Sequence, residues 1–346
     1  MIEAWKVLLS LSLSASLFFV LFLCVRSLIK NKLGRRFQYY LLLIILLRFF
    51  LPFTPSVSIT GNIFNLVQST SAYQSFFGEG EEASNTVILG DNVKIGNNVT
   101  LGNNRGILST YAFYLWLIVS SVLLIRKVTK YQSFFKYIKS TWIPIDDPDM
   151  LNILSHICET KKIRKNMELY SSSLIASPLL LGIRKNYIVL PNETLTENQL
   201  YYILIHETTH YKYRDMLYKW FMQLITCIHW FNPLIYYLEK LVNSECEFAC
   251  DEWVIRDFTK EEAYEYGSTL IHVLQHKEKM KEKVASLALT ESAREVKMRL
   301  DSITLTEQKN NHKIMSFIIV VIFLLLFYLL GAYKIGQSSL PLSFFS

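Results

Sequence analysis

The sequence predicts an α-helical integral membrane protein with four transmembrane helices, the N-terminus outside and an α+β domain on the cytoplasmic side. Three observations predict it. Of the 346 residues, 51% are hydrophobic and 14% aromatic, too oily a mixture for a simple soluble domain. Four apolar runs have lengths that suit a bilayer. Basic residues gather in alternate loops, the asymmetry that orients membrane helices.

Val7 to Val25 is an uncharged run of 19 residues, enough to cross ~30 Å of hydrocarbon. A signal peptide carries its positive charge before the run and a small-residue cleavage site after it. Here Arg26, Lys30, Lys32, Arg35 and Arg36 follow the run, which predicts a retained helix. A second span covers Phe37 to Phe53 and contains Arg48, which must snorkel or face protein. Residues 1–53 are thus two spans with a basic cytoplasmic loop. The third span is 107–125 and the fourth 314–333, leaving an external tail, 334–346.

The loops set the orientation. Arg126 to Lys139 and Lys309 to Lys313 are basic, whereas Thr54 to Thr110 is poor in basic residues and carries Glu79, Glu81 and Glu82. Residues 126–313 are therefore cytoplasmic. The formal charge of +7 is placed along a membrane rather than in a nucleic-acid footprint, so no direct nucleic-acid contact is expected. Cys24, Cys158, Cys227, Cys246 and Cys250 are odd in number and show no paired framework, as reduced thiols would.

The external loop, 54–106, repeats a hexad: Val87-Ile-Leu-Gly-Asp-Asn, Val93-Lys-Ile-Gly-Asn-Asn, Val99-Thr-Leu-Gly-Asn-Asn. Such copies suit left-handed β-helix coils, but three hexads make one coil, which buries no apolar face alone. A loosely ordered loop and a capping or ligand-sensing patch both remain open.

The cytoplasmic domain begins as helix, Pro148 to Lys165, and turns strand-like at Met167 to Ile175 and Tyr187 to Leu190, around Ser177-Pro178 and Gly182. Apolar Leu179 to Leu181 lies between them. A small sheet is expected, whose edge either holds an extended peptide by main-chain pairing or serves as a supporting hairpin. The apolar stretch 217–238 is interrupted by Lys219, His229 and Pro233, and reads as a re-entrant or membrane-resting helix. Glu261 to Arg299 reads as a solvated helical pair.

Between sheet and membrane-resting stretch stands His206-Glu207-Thr208-Thr209-His210, with no proline or glycine from Leu195 to Phe231. On a helix the two histidines share a face and can hold one ion, with Glu207 beside them as general base. A zinc hydrolase needs a third protein ligand and an open fourth position. Glu247 supplies the third ligand from a later helix. Asp251, one turn on, accepts the other ring N–H of a liganding histidine. A thiolate alternative at Cys246 and Cys250 is minor, since such cysteines more often pack as small apolar groups. His229 is more often a packed histidine than a ligand.

Taken together, His206-Glu-x-x-His210, His229-Trp-Phe-Asn-Pro233 and Glu247-x-x-Cys250-Asp251 resemble the BlaR/MecR antirepressor family of membrane zinc metallopeptidases. Ser177-Pro178-x-x-x-Gly182, Ile188-Val-Leu-Pro191 and Asp215 are similar to that family as well. The resemblance spans nearly the whole chain. It implies a gluzincin-like peptidase domain, one Zn2+ per chain, Asp215 as a further outer partner of the metal ligands, and a multi-pass place in a bacterial cell membrane. The family's better-known members carry a C-terminal penicillin-binding sensor. Only about a dozen residues follow Tyr333 here, without Ser-x-x-Lys, so that sensor is not expected and the 54–110 loop is the sizeable external element.

The expected chemistry is peptide-bond hydrolysis, with Glu207 taking a proton from water and returning it to the leaving amine. The expected partners are the bilayer and a protein or peptide substrate such as a cytoplasmic winged-helix repressor; a homodimer also fits. Two rivals stay open: a housekeeping CAAX-type or stress-type membrane zinc protease, and a non-hydrolytic zinc-stabilised transducer. The latter leaves Glu207 without a purpose.

Overall fold

Uninterrupted apolar sequence makes the first element, α1 (Ile2–Ile29), which holds an apolar segment Val7–Arg26 long enough to cross a membrane. In the computed structural model the described residues are 2–29, 33–52, 66, 69–70, 102–164, 167–182, 185–282, 289–306 and 313–330. The first two hexads and the expected external tail from 334 lie outside them. Gly102 to Asn104, the end of the third hexad, are helical rather than part of a β-coil.

Helix α2 (Arg35–Phe50) is 16 residues, about 24 Å, and is largely wrapped by protein. Arg48 faces the interior: Nη1 donates to Leu51 O at 3.0 Å and Nη2 to Leu330 O at 2.8 Å, with the guanidinium over the Phe327 ring. It does not snorkel. Helix α3 (Gly102–Lys139) spans 38 residues, about 57 Å, and runs well past the expected end of the third span at 125. Its Thr110–Lys139 segment is the second one long and apolar enough to cross a membrane.

A four-stranded sheet follows, in the order β1-β2-β4-β3. Strand β1 (Ile143–Pro144), absent from the sequence expectation, runs antiparallel to β2 (Met167–Ser172). Helix α4 (Pro148–Thr160) connects them, capped by the Asp147 carboxylate on the Asp149 amide. Strand β4 (Asn186–Pro191) lies parallel to β2, and β3 (Leu179–Leu181) pairs antiparallel with β4, leaving its other side as a sheet edge. The β3–β4 turn needs Gly182: its φ is +95°, and a Cβ would fall 2.0 Å from Lys185 O.

Helix α5 (Glu197–Lys212) starts at a capping box, with Thr196 Oγ1 accepting from the Gln199 amide and Gln199 Oε1 from the Thr196 amide. The stretch expected as one membrane-resting helix is two elements. Helix α6 (Asp215–Ile228) stops at a turn, and Asn232 caps the start of α7 (Pro233–Val254), with proline at its first position. A 3₁₀ turn (Ile255–Asp257) leads to α8 (Lys260–Glu282), α9 (Leu289–Thr306) and the apolar α10 (Lys313–Leu329).

There are two main cores. One joins α1, α2, α6, α7 and α10 through residues such as Phe18, Phe22, Leu42, Met222, Leu238 and Phe323. The other packs the sheet on α4, α5 and α8 through Leu154, Ile188, Leu204 and Tyr266. Helix α7 belongs to both, giving Leu238, Val242 and Trp253 to the first and Cys250 and Val254 to the second.

Candidate metal centre

Helix periodicity places His206 and His210 one turn apart on the buried face of α5. Their Nε2 atoms are 3.1 Å apart, the rings edge to face. Helix α7 crosses beside α5 and brings in Glu247, whose Oε2 stands 3.5 Å from His206 Nε2 and 3.6 Å from His210 Nε2. Ligands about 2.0–2.1 Å from a tetrahedral ion stand about 3.3–3.4 Å from one another. Three donors, two nitrogens and one carboxylate oxygen, therefore have the separation that a small tetrahedral ion imposes. The Glu247 side chain keeps 23% exposure and faces a cavity of about 410 Å³, also lined by Glu207, Leu180, Lys219, Tyr266 and Arg299.

The far side of each imidazole is held. His210 Nδ1 lies 2.7 Å from Asp215 Oδ2, the first residue of α6, placed there by Arg214 in the left-handed conformation. A carboxylate only accepts, so a proton sits on Nδ1, and Nε2 is the nitrogen left for an ion once its own proton is displaced. His206 Nδ1 lies 2.8 Å from the Tyr266 hydroxyl, which donates to Asp251 Oδ1 at 2.6 Å. Asp251 was expected to take a histidine N–H itself. Its Oδ1 is 3.6 Å from His206 Nδ1, too far, because the Tyr266 hydroxyl stands between them. Arg299 fixes Asp251 with two hydrogen bonds of 2.7 Å and brings Nη1 to 3.6 Å from Glu247 Oε2.

Two cysteine-containing groups lie close by, His206-His210-Cys250 and His210-Asp215-Cys246. Cys250 Sγ approaches His206 at Nδ1, at 3.4 Å, where Tyr266 already binds. Both cysteines are fully buried, whereas Glu247 opens to the cavity. The carboxylate side thus offers a ligand triangle with room for water. His229 lies apart, its Nε2 donating to Phe49 O at 3.2 Å in the α2–α6 contact.

The electrostatics favour the charged form of each donor, a carboxylate at Glu247 and imidazolium at the two histidines, when no ion is bound. Burial alone would lower the His206 pKa, but the Cys250 sulfur and Glu247 outweigh it and raise it to about 9. For Glu247, burial works toward the neutral acid, yet His210, Lys219 and His206 hold its carboxyl well below the usual range. Lys219 Nζ sits 3.4 Å from the other Glu247 oxygen.

Every residue expected at the site is in or against this cluster: His206, Glu207, His210 and Glu247 line the cavity, and Asp215 and Asp251 stand behind the two imidazoles. Sequence reasoning missed Tyr266, Arg299 and Lys219. Tyr266 and Arg299 come from the stretch expected to be a solvated pair, yet Tyr266 is 1% exposed. Nothing local in the sequence marks them.

A family model described as BlaR1 peptidase M56 matches residues 6–303. The regulatory protein BlaR1 of Bacillus licheniformis is 24% identical over 291 residues, covering 82% of this chain and 48% of that protein. The methicillin resistance mecR1 protein of Staphylococcus aureus is 26% identical over 299 residues, with 82% and 49% covered. The BlaR1 of Staphylococcus aureus is 23% identical over 224 residues, covering 64% and 38%. The chain spans about half the length, or less, of these relatives.

Proposed function

Because the chain belongs to the BlaR1 peptidase M56 family of membrane metallopeptidases, we propose that it is a gluzincin-like zinc peptidase with four membrane spans, which cuts peptide bonds on the cytoplasmic side and serves transmembrane signalling by causing removal of a transcriptional repressor. The observation that carries this is the triangle of His206 Nε2, His210 Nε2 and Glu247 Oε2, with sides of 3.1, 3.5 and 3.6 Å, opening on a cavity that also holds Glu207. Two imidazoles, one carboxylate and an open side are the donor set of a hydrolytic zinc site. The signalling role rests on the similarity to BlaR1 and mecR1.

His206, His210 and Glu247 would hold the ion, which when bound supplies Lewis-acid polarisation and a nucleophilic water at neutral pH. Asp215 and Tyr266 hold a proton on each Nδ1, so that each Nε2 is the nitrogen that gives up its proton and ligates. Glu207 accepts the proton from the attacking water and delivers it to the departing amine. The edge of β3, lining the cavity at Leu179 and Leu180, offers main-chain groups to an extended peptide. Arg299 and Lys219 keep Glu247 ionised.

The decisive experiment compares membranes carrying the wild type and Glu207→Gln. The variant is expected to keep stoichiometric zinc and lose cleavage by a factor of about 10²–10⁴. Undiminished cleavage would remove Glu207 from the chemistry and with it the hydrolytic reading.

A further inference from the structure

The first turns of α2 reach both arms of the metal centre. On one side the Tyr39 hydroxyl donates to Asp215 Oδ1 at 2.8 Å, while Asp215 Oδ2 takes His210 Nδ1–H at 2.7 Å. On the other side the same helix end grips α7. Arg35 Nη1 lies 3.4 Å from Glu245 Oε1, the Arg35 amide donates to Glu252 Oε2, and Arg36 Nε donates to Glu252 Oε1 at 3.0 Å. Arg26, at the end of α1, adds a second cation to the fully buried Glu245 at 2.6 Å. Glu245 and Glu252 bracket Glu247 and Asp251 along α7.

We propose that Tyr39 is a positioning residue of the metal centre, acting through Asp215 on His210, so that the seating of membrane helix α2 sets how tightly the site holds its ion. The inference rests on the zinc reading given above.

Asp215 is 2% exposed and Tyr39 3%, so water cannot replace either partner. A buried carboxylate wants more than one donor; deprived of the phenol, it keeps His210 as its one hydrogen-bond donor among the described residues and loses the contact that fixes its plane. The Tyr39 ring is itself held edge-on by Tyr218 at 4.7 Å and by Trp253 at 6.4 Å, and Trp253 lies on α7. The hydroxyl therefore points at Asp215 only while α2, α6 and α7 keep their mutual register. A shift of α2 along or about its axis would carry the Tyr39 hydroxyl away from Asp215.

Tyr218 provides an internal control. Its ring packs on Tyr39 and is also buried, but its hydroxyl has no hydrogen-bond partner among the described residues. Zinc affinity is measured on the full chain in detergent micelles, by competition with a chromophoric chelator. Tyr39→Phe is expected to bind zinc about tenfold more weakly, the lower end for loss of an outer hydrogen-bond partner, and Tyr218→Phe to match the wild type. Wild-type affinity in Tyr39→Phe, or equal losses in both variants, overturns the proposal. In an Asp215→Asn background the Tyr39 substitution should change nothing further, and a full tenfold loss there overturns the route through Asp215. The metal-free melting curve of Tyr39→Phe should stay close to the wild type. A vanished transition would make Tyr39 a structural residue and sink the assignment. His210→Ala separates the two readings: if it keeps wild-type affinity, the zinc site itself has failed, whatever Tyr39 does.

Discussion

At the level of single residues, the candidate metal ligands are legible in the sequence and their supports are not. His206, Glu207 and His210 sit within one helical turn and a half, so spacing alone places them. Glu247 is legible two helices later because its carboxylate is followed by Asp251 on the same face. Tyr266 and Arg299 lie 60 and 52 residues away from the metal-site groups they meet, His206 and Glu247, and no local pattern encodes such contacts. For the same reason the direct bond expected between Asp251 and a histidine is a relay through Tyr266. His206→Ala should empty the site, read as loss of stoichiometric zinc by elemental analysis of the purified chain. Tyr266→Phe should weaken zinc by about tenfold or more, since it breaks the bond that orients His206. The site also titrates. With its metal-free pKa raised to about 9, His206 must release a proton to bind an ion at any lower pH. His210 is raised as well, so zinc affinity should climb as pH rises from 6 toward 9, by about tenfold per unit for each proton displaced. A flat profile over that range would contradict the charge assignment.

Among the elements, α4, β2 and β4 appear close to where composition puts them, because strand propensity and the Asp147-Pro148 start are local signals. The missed break inside 217–238 was also written locally. Asn232 and Pro233 are a helix cap and a first-position proline, overridden by the pull of continuous apolarity. Strand β1 was invisible because two residues carry no periodicity. The turn after β3 offers a test at this scale. Gly182→Ala forces a side chain into a left-handed φ of +95° and onto Lys185 O. It should cost more than about 1 kcal/mol, read as a drop in melting temperature. It should also slow cleavage more than Thr196→Ala, whose lost cap is worth ~1 kcal/mol at the opposite end of α5 from His210. Equal effects on cleavage would detach β3 from substrate binding.

For the whole molecule, the alternation of basic loops remains the basis of the orientation, since among the described residues two segments have the length and apolarity to cross a membrane, Val7–Arg26 and Thr110–Lys139. A reporter placed in the Ser140–Thr141 turn should register as cytoplasmic and an N-terminal tag as external; the reverse outcome would move the centre outside. Helix α2 explains why hydropathy alone blurred the picture. At 16 residues it is shorter than a bilayer, and nine of them are buried against neighbouring helices rather than offered to lipid.

Because α7 lends side chains to both cores, it works as a shared wall between the helix bundle and the sheet-bearing half. Cutting the gene at residue 126 to obtain a convenient water-soluble enzyme would leave that wall bare, with Leu238, Val242 and Trp253 unroofed and the Glu245 carboxylate stripped of Arg26 and Arg35. Such a fragment should clump on purification, and inhibitor screens will have to begin from the intact polypeptide in lipid.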